Sequence, residues 1–212
     1  MPFADPSRRL VALAAACALV AGCATQKADP GPATATPAAA TPPPVDPAVQ
    51  SAFDDAKRAL AAGQVEQAER GFRALTRSHP DLGGPHADLG LIYRQSGKLP
   101  EAAAALEAAV RASPQQPVYL NQLGLTYRQL GRFDKAREAY EQALQLDPDY
   151  AAATLNLGIL NDLYLGDSRR ALELYERYLA LSPQGDPTVS KWVVDLNNRK
   201  PQRVASGQEG KS

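Results

Sequence analysis

Residues 117–150 read PVYLNQLGLTYRQLGRFDKAREAYEQALQLDPDY, and the fold follows from that stretch. Leu120, Leu123, Gly124 and Tyr127 lie at helical spacing, Gly131 interrupts the run, and Ala136, Tyr140 and Ala143 belong to a second run that Pro148 closes. The pattern is not local. Leu89-Gly90-x-x-Tyr93 precedes it and Leu157-Gly158 comes after it at intervals of 34 residues, each with its own downstream alanine, bulky residue and proline. A unit of two short helices cannot bury its apolar face alone, so copies must stack. A stack exposes a long curved surface instead of a closed pocket, and such surfaces hold other proteins.

Glycine and proline set the boundaries. Gly63, Gly97, Gly131 and Gly166 fall between the two helices of successive units, where a left-handed residue closes the first helix. Pro80, Pro114, Pro148 and Pro183 end the second helix. Residues 49–183 thus divide into four units, 49–82, 83–116, 117–150 and 151–184. The third unit resembles the tetratricopeptide repeat almost completely, and the second repeats it with Leu89-Gly90, Tyr93, Ala102, Leu106, Ala109 and Pro114. The resemblance implies an all-α, right-handed superhelical solenoid of about four helix-turn-helix repeats. The outer units depart from the pattern. Asp55-Ala56 stands where Leu-Gly is expected, so the first helix of unit one rests on periodicity. In unit four the stretch from Gly158 to Gly166 is one residue longer than its counterparts, and Asn161 replaces the tyrosine, with Tyr164 the candidate to fill that space.

Asp186-Pro187 reads as an N-cap with proline at the first helical position. Val189, Trp192, Val193 and Leu196 then form one apolar stripe, the mark of a capping helix over residues 185–200 that covers the last open face of the stack. Residues 201–212 are polar and expected to be a disordered tail.

At the other end, Arg8 and Arg9 precede an apolar run from Leu10 to Val20, which is too short to span a bilayer. This reads as a secretory signal. The segment Val20-Ala21-Gly22-Cys23 resembles the lipobox of bacterial lipoproteins, which implies removal of residues 1–22 and diacylglyceryl modification of Cys23. Alanine, proline and threonine dominate the next stretch, so residues 23–48 are expected to be a lipidated cysteine with an unfolded tether, extending at most about 80 Å. Ala24 after the cysteine favours the outer membrane by the same resemblance, facing the periplasm of a Gram-negative bacterium.

Composition restricts the chemistry. The chain has 23 basic and 23 acidic residues, and loss of Arg8, Arg9 and Asp5 with the signal leaves it nearly neutral. A neutral chain lacks the basic face that nucleic acid demands, and the polybasic grip that anionic lipid demands. Cys17 leaves with the signal and Cys23 carries the acyl group, so no thiol is free for a disulfide, metal or nucleophile. His79 and His86 have no metal-ligand spacing around them. Glu101, Glu107, Glu138 and Glu141 read as solvated faces of second helices. No enzyme activity, cofactor, metal or small-molecule substrate is expected.

The expected binding surface is the stripe of each first helix turned away from the Leu-Gly-x-x-Tyr packing residues. It carries Asp88, Leu91, Arg94 and Gln95 in unit two, Asn121, Gln122, Leu125, Arg128 and Gln129 in unit three, and Leu155, Asn156, Ile159 and Asp162 in unit four, with Lys57 joining from unit one. Arg94 and Arg128 hold the same place in adjacent units, and Asn121 with Asn156 is suited to clamp an extended backbone. An extended peptide with acidic character, or a partner helix, fits that set. The two-carboxylate clamp of chaperone-binding relatives is incomplete, with Val118 and Gln122 at two of its positions. The expected function is an adaptor in an envelope assembly, since similar lipoproteins serve as pilotins or as scaffolds for peptidoglycan enzymes. The alternative is an accessory subunit of an envelope enzyme or energy-transducing transport complex. In either case the partner is another envelope protein.

Overall fold

The computed structural model describes residues 46–199. The signal segment, Cys23, most of the tether and the tail lie outside the described residues. Within them the chain forms nine α-helices: α1 (Pro47–Ala61), α2 (Val65–Ser78), α3 (Gly83–Gln95), α4 (Leu99–Ala112), α5 (Pro117–Gln129), α6 (Phe133–Leu146), α7 (Ala151–Leu160), α8 (Ser168–Ala180) and α9 (Pro187–Asn198). Each helix packs on the one before it, and the first helices of successive units also touch, α3 on α5 and α5 on α7. That is a solenoid.

Local chemistry explains the breaks. Gly63, Gly97, Gly131 and Gly166 all have φ between 72° and 75°, the left-handed turn expected between the helices of a unit. The second helices stop at Ser78, Ala112, Leu146 and Ala180, just ahead of the prolines that mark them. At the start, the Asp46 side chain accepts from the Ala48 backbone N–H, with Pro47 opening α1. The first helix therefore begins two residues before the expected boundary at 49. The signal was present in the sequence, because Asp46-Pro47 is the same cap-proline pair as Asp186-Pro187, whose aspartate caps Thr188 and Val189.

Small residues set the spacing within units. A Cβ added at Gly124 would lie 2.5 Å from Tyr140 Cε1, and one at Gly90 would lie 2.5 Å from Leu106 Cγ. Unit one reaches the same close approach with the roles exchanged: Ala56 stands in α1, and the glycine is Gly71 in α2, where a Cβ would meet Ala56 Cβ at 2.9 Å. The core runs along the whole stack, from Phe72 and Ile92 through Leu106 and Tyr140 to Leu157, Leu174 and Tyr175.

The extra residue of unit four is taken up by one wide turn, Asn161–Leu165, in π geometry after α7. Tyr164 does not fill the space left by the missing tyrosine. It is 46% exposed, while Asn161 turns inward and donates from Nδ2 to the Leu157 carbonyl at 2.8 Å. The wide turn swings residue 164 outward, where its ring meets Phe133 at 4.8 Å between centroids. Helix α9 covers the end of the stack: Trp192 lies 5.4 Å from the Tyr175 ring and Val189 is fully buried.

Candidate functional site

The first helices α3, α5 and α7 carry the expected stripe, and the structure sorts its residues into three groups. Gln95 and Gln129 are at the C-terminal ends of α3 and α5, and both are exposed. Arg94, Leu125, Arg128 and Asn156 are half-buried, each with part of its side chain open. Asn121 is 3% exposed.

Polar contacts run along this row of helices. Arg94 Nη2 donates to Gln122 Oε1 at 2.8 Å, linking α3 to α5. Asn156 Nδ2 donates to Asn121 Oδ1 at 3.0 Å, linking α7 to α5, and Asn121 Nδ2 reaches the Tyr150 hydroxyl at 3.5 Å. Asn121 is therefore a tie between repeats and not a free clamp for a ligand backbone. Its position faces the next first helix, and a buried amide there is held by its neighbours. Asn156 keeps an exposed portion beside it.

The apolar part of the stripe also changes. Leu155 and Ile159 pack into the cluster of Ala171, Tyr175, Val189 and Leu196 that α8 and α9 complete, so the cap covers them. Leu125 packs at the edge of the central core. The open apolar surface lies instead at Leu163 and Tyr164, 65% and 46% exposed, which the wide turn pushes out. The Arg128 guanidinium carbon sits 5.9 Å from the centre of the Tyr164 ring. The extra residue in unit four is legible in the sequence, but the direction in which it projects the ring is not.

Electrostatics concentrate at one place. Burial pulls the Arg94 guanidinium below its ordinary value, against the Tyr140 hydroxyl, which raises it, and the nearby Arg128, which lowers it further. Burial raises the Tyr140 hydroxyl to about 12, opposed by both arginines. The carboxyl of Asp88, on the same row in α3, is raised by burial, with Lys57 offsetting part of the effect. Two arginines thus line one wall at equivalent positions of adjacent repeats. Among the described residues neither forms an ion pair.

Candidates for other chemistry are few. His86 Nε2 is held against the Pro80 carbonyl at 3.1 Å and His79 against Ser78. Among the described residues no group of three or more His, Cys, Asp or Glu is placed to hold a metal ion. No described helix is long and apolar enough to cross a membrane.

A row of first helices over a row of second helices, joined by left-handed glycines and covered by a terminal helix, defines a helical-repeat interaction domain. Two tetratricopeptide repeat models match, one over residues 53–117 and one over 117–150, and the chain belongs to the tetratricopeptide repeat family. Solved structures agree in fold. MamA from Desulfovibrio magneticus RS-1 is 16% identical with a TM-score of 0.64, covering 73% of this chain and 86% of its own. The Pseudomonas aeruginosa protein pilF is 23% identical with a TM-score of 0.63, covering 70% of this chain and 67% of its own. The first repeat domain of Spaghetti (RPAP3), solved with the HSP90 peptide SRMEEVD, is 24% identical with a TM-score of 0.50, covering 53% of this chain and 87% of its own. No curated protein matches the sequence significantly.

Proposed function

We propose that this protein is a non-catalytic adaptor that holds an extended, acidic segment of another envelope protein against α3, α5 and α7. Cys23 anchors it by its acyl chains to the periplasmic face of the outer membrane. The observation that carries the binding reading is a pair of half-buried arginines, Arg94 and Arg128, at equivalent positions of adjacent first helices and without an ion pair among the described residues. Partly desolvated guanidinium groups are stabilised by carboxylates and recognise them through paired N–H donors. Gln95, Gln129 and Asn156 supply further backbone-binding groups on the same row, and Leu125, Leu163 and Tyr164 give apolar area beside them. The acidic peptide carried by RPAP3 supports the same class of ligand for this fold. The anchor reading rests on the lipobox-like segment ending in Cys23.

The test places a photo-crosslinking residue at Gln129 in cells, with a second at Glu141 on the exposed face of α6. One envelope protein is expected to be trapped from position 129, and Leu125→Asp is expected to abolish the product by putting an unpaired charge inside the contact. Trapping only from position 141 would overturn the reading.

A further inference from the structure

Tyr140 and Tyr175 occupy the same place in α6 and α8, each passing beneath the glycine of its unit's first helix. A Cβ at Gly124 would lie 2.5 Å from the Tyr140 ring, and one at Gly158 would lie 2.8 Å from the Tyr175 ring. Their hydroxyls meet different surroundings. In unit four the Tyr175 hydroxyl donates to Asp162 Oδ2 at 3.5 Å, and the other oxygen of that carboxylate accepts from Arg199 Nη1 at 3.0 Å. The Asp162 side chain is only 7% exposed, and hydroxyl, carboxylate and guanidinium form one connected set.

In unit three the residue at the place of Asp162 is Arg128, and at that place in unit two it is Arg94. Tyr140 is 0% exposed, and its hydroxyl has no hydrogen-bond partner. Both arginines lie within electrostatic reach of it. Guanidinium groups only donate, so neither arginine can accept the hydroxyl proton, and no hydrogen bond reaches it from elsewhere. A buried polar group left in this condition is costly, and such groups in native proteins mark a missing partner. A carboxylate set between the two guanidinium groups would supply that acceptor.

We propose that Tyr140, Arg94 and Arg128 form a slot for a carboxylate of the bound partner, which plays in the third unit the part Asp162 plays in the fourth. The slot deepens the adaptor reading and rests on it for the source of the carboxylate, an acidic side chain or a chain terminus. Gln122 holds Arg94 by one N–H and leaves others free, while the Tyr164 ring backs Arg128. Val118 takes no part and Gln122 acts only through Arg94, so the slot is separate from a chaperone-tail clamp.

The experiment uses the full chain in detergent with 13C-labelled tyrosine, whose resonances are assigned by single Tyr→Phe substitutions. It is titrated with N-acetyl-glutamate N-methylamide, its glutamine counterpart, N-acetyl-alanine with a free terminal carboxylate, and inorganic phosphate. Saturable shifts of the Tyr140 and Tyr164 signals are expected with the carboxylates and not with the glutamine probe, and the stronger carboxylate identifies the source. Arg128→Gln should weaken the response about tenfold. Tyr140→Phe should weaken the Tyr164 response several-fold with no fall in melting temperature, because it removes a hydroxyl that has no partner. Equal responses to glutamate and glutamine probes, no response, or tighter binding of phosphate than of either carboxylate would overturn the slot. So would a lower melting temperature for Tyr140→Phe, which would show an internal partner. Crosslinking from Gln129 that persists through such a result would leave the adaptor reading standing without the slot.

Discussion

At the scale of single residues, polar contacts join one repeat to the next beside the apolar core they share. The Tyr127 hydroxyl on α5 donates to Glu107 Oε1 on α4 at 2.7 Å. Glu107 is half-buried and not a solvated face, unlike Glu101, Glu138 and Glu141, which are exposed. Tyr127→Phe should cost about 1 to 2 kcal/mol, since it removes the bond and leaves a half-buried carboxylate short of a donor. Urea unfolding monitored by circular dichroism measures this. Burial and Glu107 push the Tyr127 hydroxyl up to about 12. A tyrosine raised in the folded state binds its proton more tightly there. Its contribution is complete below its ordinary value and is lost as pH rises through the folded one. The gap between wild type and Tyr127→Phe should close in the alkaline range. Asp88 works in the same sense at lower pH. Its carboxyl is raised by burial, so Asp88→Asn should raise the melting temperature at neutral pH, and the advantage should shrink as pH falls and the wild-type carboxyl takes up its proton.

At the scale of helices, space decides against propensity. Alanine is a better helix former than glycine by about 1 kcal/mol, and on an open face Gly→Ala would stabilise. At Gly124 the added Cβ would fall 2.5 Å from a ring that is wedged in the core, so neither side can give way cheaply. Gly124→Ala should therefore destabilise by about 1 to 3 kcal/mol. Ala136→Leu should do the same from the facing helix, where Ala136 is 0% exposed. Glu141→Leu on the exposed face should change stability by no more than about 0.5 kcal/mol. Thermal melts of the three proteins test the register of α5 on α6, and equal effects at Ala136 and Glu141 would show it to be wrong.

At the scale of the molecule, a solenoid must close its ends, and α9 does so at one of them. Trp192 is the single tryptophan of the chain and packs on Tyr175, so its emission reports the cap alone. Trp192→Ala should cost about 3 kcal/mol, near the low end for truncating a packed aromatic, because the side chain is half-buried. In the intact protein the tryptophan signal and the helix signal should be lost together in urea, as stacking couples each repeat to its neighbour. An earlier fluorescence transition would show the cap fraying on its own. The proposed lipid attachment belongs to this scale too. Acyl chains contribute about 0.8 kcal/mol for each buried methylene, and a nearly neutral chain offers no second grip. Cys23→Ser should release the protein from the membrane fraction or leave it unprocessed, and retention equal to wild type after a salt wash would count against the anchor.

The sequence by itself determined the repeat. Period, left-handed glycines, terminating prolines and the aspartate-proline cap of α9 are local signals, each set by backbone conformation within a few residues, and they hold in the structure. The row of first-helix residues was legible for the same reason, because helical geometry fixes which positions share a face. Four things were decided only in the tertiary structure. Asn121 became a tie because α7 brings Asn156 to it, and Leu155 and Ile159 were covered because α9 lies over them. Tyr164 turned outward because the wide turn absorbs one residue by rotating the ring away from the core. The Tyr140 hydroxyl is the sharpest case. The acceptor for its counterpart in unit four lies 13 residues away along the chain, and the equivalent residue in unit three is a donor. Whether a buried hydroxyl finds an acceptor depends on which side chains several helices bring to one point, and no single helix carries that information.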